Sequence, residues 1–339
     1  MTEQLKLKLN DSKATRWGAL VIVAFTMMAA YYVNDVVAPL KTMLETDLAW
    51  SSTDFGFFTG GYSFLNVFFL MLIWGGLILD RFGIRFTGKL ATILMVGGTA
   101  LEYYAMTGLA GADATLFGIN EIFGYKTGVF VAFAGYSIFG VGAEVAGITV
   151  SKIIAKWFKG KELATAMGVQ VALARIGSQA GYAVAIPLAR AFGISTPVLL
   201  GLVLLLGGMI AFFIFAVMDK KLDKQMEAAA IAAGTEDEEE KFSFKDVKNI
   251  LVNPGFWLIA LLCVLFYSCV FPFQKFASEL MIIKYGINEN VAGTFAGLPA
   301  LGALILTPVF GGFIDKRGKS ASIMLLGSAM LICVHFIYA

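Results

Sequence analysis

Glu144 and Arg175 stand inside two consecutive stretches of sequence that are otherwise apolar enough to cross a bilayer. A charge at membrane depth costs roughly 2.5–3.5 kcal/mol on insertion scales. Such residues pair with one another or face a water-filled cavity. One acid and one base in this position imply that the protein handles a polar solute with a positive and a negative group. Arg presents a forked donor set suited to a carboxylate and stays ionised. Glu144 has two partners open to it: an ammonium group, or Arg175 itself when the site is empty. A buried carboxylate without a partner takes up a proton, so proton coupling stays open. The pair also reads as a structural salt bridge between neighbouring helices.

Membrane helices must position these residues. The chain has 339 residues, 58% hydrophobic and 15% charged, with mean hydropathy +0.79. A soluble domain is roughly 45–50% apolar and 25% charged, so the expected class is an all-α integral membrane protein. At about 20 apolar residues per crossing, nine spans are predicted: 17–40, 54–78, 88–108, 129–151, 163–189, 194–218, 256–282, 290–314 and 320–339. They divide the chain into a polar tail (1–16), a six-helix bundle (17–218), a polar linker (219–250) and three further helices (251–339). The first span lacks a small-residue cleavage site and reads as a helix, not a signal peptide. The acidic run Glu236 to Glu240 in the linker reads as solvated.

Several functions are excluded at this level. Cys263, Cys269 and Cys333 all lie in apolar spans, and His335 is the one histidine. No disulfide framework or metal-ligand spacing results, so neither metal nor cofactor is expected. No Gly-x-x-x-x-Gly-Lys-Ser/Thr loop marks an ATP-driven pump. No nucleophile with a base, and no His/Asp/Glu cluster, marks an enzyme. The net charge of +2 is spread over short loops, which argues against nucleic acid.

Lysine and arginine set the orientation. Most of the 26 basic residues lie in the N-terminal tail and in loops 2–3, 4–5, 6–7 and 8–9. The opposite side has Lys41, Lys126, Arg190 and Lys284. The basic side, with the N-terminus, is expected in the cytoplasm. Loop 2–3 reads Gly76-Leu77-Ile78-Leu79-Asp80-Arg81-Phe82-Gly83-Ile84-Arg85, and loop 8–9 reads Gly311-Gly312-Phe313-Ile314-Asp315-Lys316-Arg317-Gly318-Lys319. Each is Gly-x-x-x-Asp-basic-x-Gly at the basic end of an even-numbered span. Two such copies at equivalent positions indicate internal duplication, the mark of many secondary transporters.

These loops resemble the signature of the major facilitator superfamily, and the resemblance covers essentially the whole chain. One stretch is similar to its lysosomal dipeptide transporter branch and microbial relatives: Gly140-Val141-Gly142-Ala143-Glu144, Lys156-Trp157-Phe158-Lys159-Gly160-Lys161-Glu162-Leu163-Ala164 and Ala174-Arg175-Ile176-Gly177-Ser178. Tyr31-Tyr32 with Asp35 and Pro39, and Phe271-Pro272-Phe273, are also similar. The resemblance implies the major facilitator fold and a dipeptide uniporter working by alternating access. It gives Glu144 the substrate's amino end and Arg175 its carboxyl end. Family members have about twelve helices; nine are predicted here, so the C-terminal bundle is expected to be partial, with helices 10–12 absent. Asp80 then lacks its expected helix-end partner. The alternatives are an organic-anion (carboxylate) carrier of the same superfamily and a non-transporting truncated carrier.

At about 1.5 Å per residue, Glu144 lies ~10 Å and Arg175 ~18 Å from the basic-side ends of their spans, within mutual side-chain reach. Asp35 and Lys275 both lie toward the opposite third of corresponding spans. They are expected to approach as a gate, or to be solvated independently; separation well beyond ~8 Å would count against the gate. Tyr31, Tyr32, Asn34, Tyr267, Phe271 and Gln274 are candidates to line a cavity, or simply to pack. Asp80, Arg81, Arg85 and Asp315 read as conformational latches rather than substrate ligands. Pro272 should kink its helix. Gly177-x-x-x-Gly181 and Gly293-x-x-x-Gly297 allow close approach, and the resemblance implies that their two helices pack together. No glycosylation sequon falls in an outer loop, and no acidic-dileucine signal appears in the tail. A multi-pass monomer of the cell membrane is expected over a lysosomal one.

Overall fold

In the computed structural model, residues 8–111, 114–233, 250–317 and 319–338 are described. Helix α1 (Lys13–Val36) starts at Ser12, whose side chain accepts from the backbone N–H of Thr15. Pro39 follows its end in a short 3-10 turn, which leads into α2 (Lys41–Asp47). Helix α3 (Ser52–Phe68) opens on a capping box formed by Ser51 and Asp54, which satisfies two otherwise unpaired N–H groups.

The predicted span 54–78 is not one helix. Leu70 adopts a left-handed conformation, and α3 meets α4 (Met71–Thr107) at 58°. Residues 67–76 around the bend are all apolar, so hydropathy carries no mark of it. The predicted loop 2–3 also contracts. Gly83 takes φ 74° inside α4 and alone breaks its helical dihedrals, a conformation open to glycine without a Cβ clash. Asp80, Arg81 and Arg85 therefore sit on helical turns to either side.

A two-strand hairpin follows, β1 (Glu121–Ile122) paired with β2 (Tyr125–Lys126). Its turn residues Phe123 and Gly124 both have positive φ, as tight hairpin turns require. Helices α5 (Thr127–Trp157), α6 (Leu163–Phe192) and α7 (Thr196–Ala233) complete the first bundle. Helix α7 runs far past the predicted linker boundary at 219, carried by an alanine-rich stretch of high helix propensity. The acidic run from Glu236 to Glu240 lies outside the described residues. Helices α8 (Pro254–Tyr285), α9 (Glu289–Arg317) and α10 (Ser320–Tyr338) follow.

The architecture is a six-helix N-terminal bundle with a partial bundle of three. Among the described residues, six helices are long and apolar enough to cross a membrane, and the bent α3/α4 pair adds a seventh. Helix α6 is outside that set because Gln170, Arg175, Ser178 and Gln179 dilute its apolar content. Helix α4 packs on α5, α1 on α6 and α7, and α9 on α6. The α4–α5 contact is backbone to backbone: a Cβ on Gly135 would stand 2.7 Å from the Gly98 carbonyl. The two glycine-bearing helices α6 and α9 pack together as expected, but their glycines face different neighbours. Gly177 and Gly181 abut Met28 and Tyr32 of α1, whereas Gly293 and Gly297 abut Tyr182 and Gln179 of α6.

Candidate functional site

Helix α1 packs partly buried Tyr31 against residues of the core. The Arg175 guanidinium of α6 lies over its ring, 5.7 Å from the centroid, within cation–π range. Glu144 of α5, Asp35 and Tyr267 of α8 also lie within electrostatic reach of the Tyr31 hydroxyl. Glu144 and Arg175 do not pair with each other. Glu144 Oε1 instead accepts a hydrogen bond from Tyr62 Oη of α3 at 2.8 Å. Among the described residues Arg175 has no ion pair and no hydrogen-bonded acceptor. The expected empty-site salt bridge is thus replaced by two charges that do not pair with each other, both within electrostatic reach of one tyrosine.

The remaining candidate residues divide. Tyr267 and Phe271 stack at 5.0 Å on an exposed stretch of α8. Tyr32 does not join them: it is buried and its hydroxyl donates to the Pro197 carbonyl, 3.2 Å away on α7. Asn34 and Gln274 belong to a contact nearer the end of the bundle remote from the basic loops, termed here the outer face.

At the outer face the three later helices are tied to the first bundle. Lys275 Nζ donates to the Asn34 carbonyl at 2.6 Å and to Tyr136 Oη at 3.2 Å, and lies 3.7 Å from Asp35 Oδ1. Tyr136 Oη in turn lies 2.7 Å from the Asn34 carbonyl, and the Asn34 amide donates to Asp35. Tyr182 donates to the Gln274 carbonyl. Lys41, whose side chain is only 2% exposed, pairs with Glu45 at 2.7 Å and with Glu279 of α8, and donates to Ser52 Oγ. Arg190 pairs with Glu289 and Asn290 of α9. Among the described residues, every hydrogen bond and ion pair joining α1–α7 to α8–α10 uses α8 from Gln274 onward or α9 up to Thr294. The first half of α8, including Trp257 and Leu258, is exposed.

The basic face is built differently. Asp219 of α7 is fully buried and receives Lys156 at 2.8 Å, Trp157 Nε1 at 3.0 Å and Arg85 at 3.6 Å. Asp223 adds Arg85 at 2.7 Å and Lys156 at 2.5 Å. Asp80 pairs with exposed Lys152 at 2.9 Å, and Arg81 lies over the Phe82 ring. Arg16 binds Glu162 at 2.7 Å and holds its carboxyl below the ordinary range. Lys161 does the same for Asp11. All these links stay within the first bundle. The side chain of Asp315, in the last turns of α9, lies outside those described. The sequence reading did not single out Tyr62, Lys41, Tyr136, Glu102 or Asp219. In the sequence Lys41 stands only among the basic residues of the side opposite the basic loops, and Asp219 at the start of the polar linker. Glu102 is an acid in an apolar span, the same mark that flagged Glu144.

Among the described residues, two groups of helices tied together at the outer face, most of them long and apolar enough to cross a membrane, define a multi-pass membrane protein. The chain belongs to the Major Facilitator Superfamily, whose family model matches residues 17–339. It is 27% identical over 340 residues to the human (Homo sapiens) lysosomal dipeptide transporter MFSD1, covering 96% of this chain and 67% of that one. The Pongo abelii protein of the same name matches at 27% over 334 residues, 94% of this chain and 65% of the relative. The chain thus spans about two thirds of the length of these relatives. Among solved structures it is similar to a partially occluded inward-open form of the xylose transporter XylE from E. coli. That match has TM-score 0.60 and 16% identity, over 90% of this chain and 74% of the other. A D-xylose-proton symporter structure matches with TM-score 0.59 and 14% identity, over 88% and 69%. Those two matches concern the fold alone.

Proposed function

We propose that the protein moves dipeptides or related amino-acid-like zwitterions across a membrane, with Arg175 taking the carboxylate and Glu144 the ammonium group. The observation that carries this reading is the Arg175 guanidinium, unpaired among the described residues and held over Tyr31, with Glu144 within electrostatic reach of the same tyrosine. An intramembrane cation without a protein anion is costly, and a substrate carboxylate supplies the missing partner. The relatives' name as dipeptide transporters supports the same class. Tyr31, Tyr267 and Phe271 supply aromatic walls, as small-molecule pockets commonly have.

On this reading the basic face is cytoplasmic and the structure is the inward-facing state. Lys41–Glu279, Asp35–Lys275 and Arg190–Glu289 then form a closed outer gate. The protein is a monomer of the cell membrane that needs no cofactor.

A second reading, an organic-anion carrier, draws on one observation: Tyr62 already occupies Glu144, leaving Arg175 as the only unpaired charge of the two. Uptake into proteoliposomes separates the readings. The dipeptide reading expects saturable uptake that Glu144→Gln and Arg175→Ala each abolish, and that N-acetylated dipeptide does not inhibit. If Glu144→Gln transports normally and only Arg175→Ala fails, the anion reading replaces it.

A further inference from the structure

Glu102 lies near the outer end of α4 (Met71–Thr107). It is 0% exposed. Neither of its carboxyl oxygens has a hydrogen-bond partner among the described residues. Its backbone lies in the close α4–α5 contact, where a Cβ on Gly135 would stand 2.9 Å from the Glu102 nitrogen.

The groups around it belong to the outer contact. Lys275 of α8 is the charged group that acts on Glu102, and Tyr136 of α5 is a titratable hydroxyl on which Glu102 acts. Among the described residues no charged group of α1, α3 or α7 adds to Lys275. Asp35 of α1 sits on the other side of Lys275. An ammonium has three N–H donors. Those of Lys275 are directed at the Asn34 carbonyl, Tyr136 Oη and Asp35. None remains for Glu102.

An ionised carboxylate without donors, sealed from water, is strongly disfavoured, and such a group neutralises instead. With one proton on Glu102, the charges of Asp35 and Lys275 cancel and the buried cluster is neutral. Withdrawal of α8 would remove Lys275 from Asn34 and Tyr136 and open this end of the bundle to water. The carboxylate would then be hydrated.

We propose that Glu102 is a proton-binding site that locks the outer gate: it carries a proton while the gate is closed and releases it when the gate opens. The step is a simple dissociation, carboxylic acid to carboxylate, with the proton passing to outer water. The inference rests on the outer-gate reading but not on the identity of the substrate. Linkage fixes the sign. The closed state binds one proton more, so low pH favours closure. Rising pH shifts the open-to-closed ratio by up to about tenfold per pH unit between the two states' titration ranges.

The test uses purified full-length chain with Cys263, Cys269 and Cys333 replaced by Ser. Spin labels are placed through Thr46→Cys on α2 and Ile283→Cys on α8, both exposed. Electron-resonance distances across the outer face are read from acid to alkaline pH, in wild type and Glu102→Gln. Infrared spectra of the closed form are read for the C=O stretch of a protonated carboxylic acid. The expected results are an outer distance that lengthens with pH, a Glu102→Gln variant closed and indifferent to pH, and an acid band lost in that variant. A Glu102→Gln variant with the wild-type pH response defeats the lock alone, as does a closed wild type lacking the acid band. A label pair that never moves, with pH or with added dipeptide, defeats the outer-gate reading and the lock together. The infrared band is read on wild type, so a poorly folding variant does not remove the test.

Discussion

At the outer face, ion pairs tie α8 and α9 to helices of the first bundle; at the basic face, they tie helices of that bundle to one another. Lys41, Lys275 and Arg190 reach across to Glu279, Asn34 and Glu289. Arg85, Lys156 and Trp157 converge on Asp219 and Asp223 without leaving the bundle. In an alternating-access fold, links within a bundle persist through the cycle and links between bundles must break. On the proposed transport cycle the outer contacts are latches and the basic contacts are scaffold. The two can be told apart by what their loss changes: conformation in one case, stability in the other.

The largest effect is expected from Lys41→Ala. Removing one member of a mostly buried ion pair costs ~3–5 kcal/mol, and here that cost falls on the closed outer face. Spin-label distances across the outer face should lengthen and spread. A variant that melts lower but keeps the wild-type distance would make Lys41 scaffold instead. Arg175→Ala sits between the faces and should alter neither. It should weaken dipeptide binding by ~1.5–3 kcal/mol, the worth of charged hydrogen bonds, or about 10- to 100-fold in Kd, read by calorimetry. Asp219→Asn leaves Arg85, Lys156 and Trp157 with a weaker acceptor. It should lower thermal stability by ~1–3 kcal/mol while the outer distance and binding stay unchanged. A shifted distance would show that the basic network is part of the switch.

The smallest effect concerns the Arg16–Glu162 contact. Arg16 holds the Glu162 carboxyl below its ordinary value of 4.5. A depressed folded value means the contact contributes fully above that pH and is lost as pH falls through the depressed value. Glu162→Gln should therefore flatten the acid limb of a melting-temperature profile. The Glu162 carboxylate is partly exposed, so salt should shrink the difference.

Much of this arrangement was legible in the sequence. The approach of Asp35 to Lys275 followed from equal depth on corresponding spans, and they stand 3.7 Å apart. Span positions gave the helices, because apolar length is a strong constraint in a bilayer. The bend at Leu70 was not legible, since every residue near it is apolar. That bend belongs to the α3 segment that aims Tyr62 at Glu144, so the partner of Glu144 was hidden with it. Tyr32 was legible in principle: adjacent residues on a helix do not share a face, and Tyr31 and Tyr32 point to α6 and α7. Lys41 required a short α2 that no hydropathy pattern announces. Asp219 required knowing that α7 continues past the membrane boundary.

The central claim is that one face is closed while the other is open, around a site that binds a zwitterion. Two label pairs on the same chain test it most directly. Thr46→Cys with Ile283→Cys spans the outer face, and Lys159→Cys with Leu258→Cys spans the basic face, all at exposed positions. Without substrate, the outer pair should give a short, narrow distance and the basic pair a long one. Added dipeptide should lengthen the first as it shortens the second. A long outer distance beside a short basic one in the substrate-free protein, or two pairs that never change in opposite directions, would contradict it.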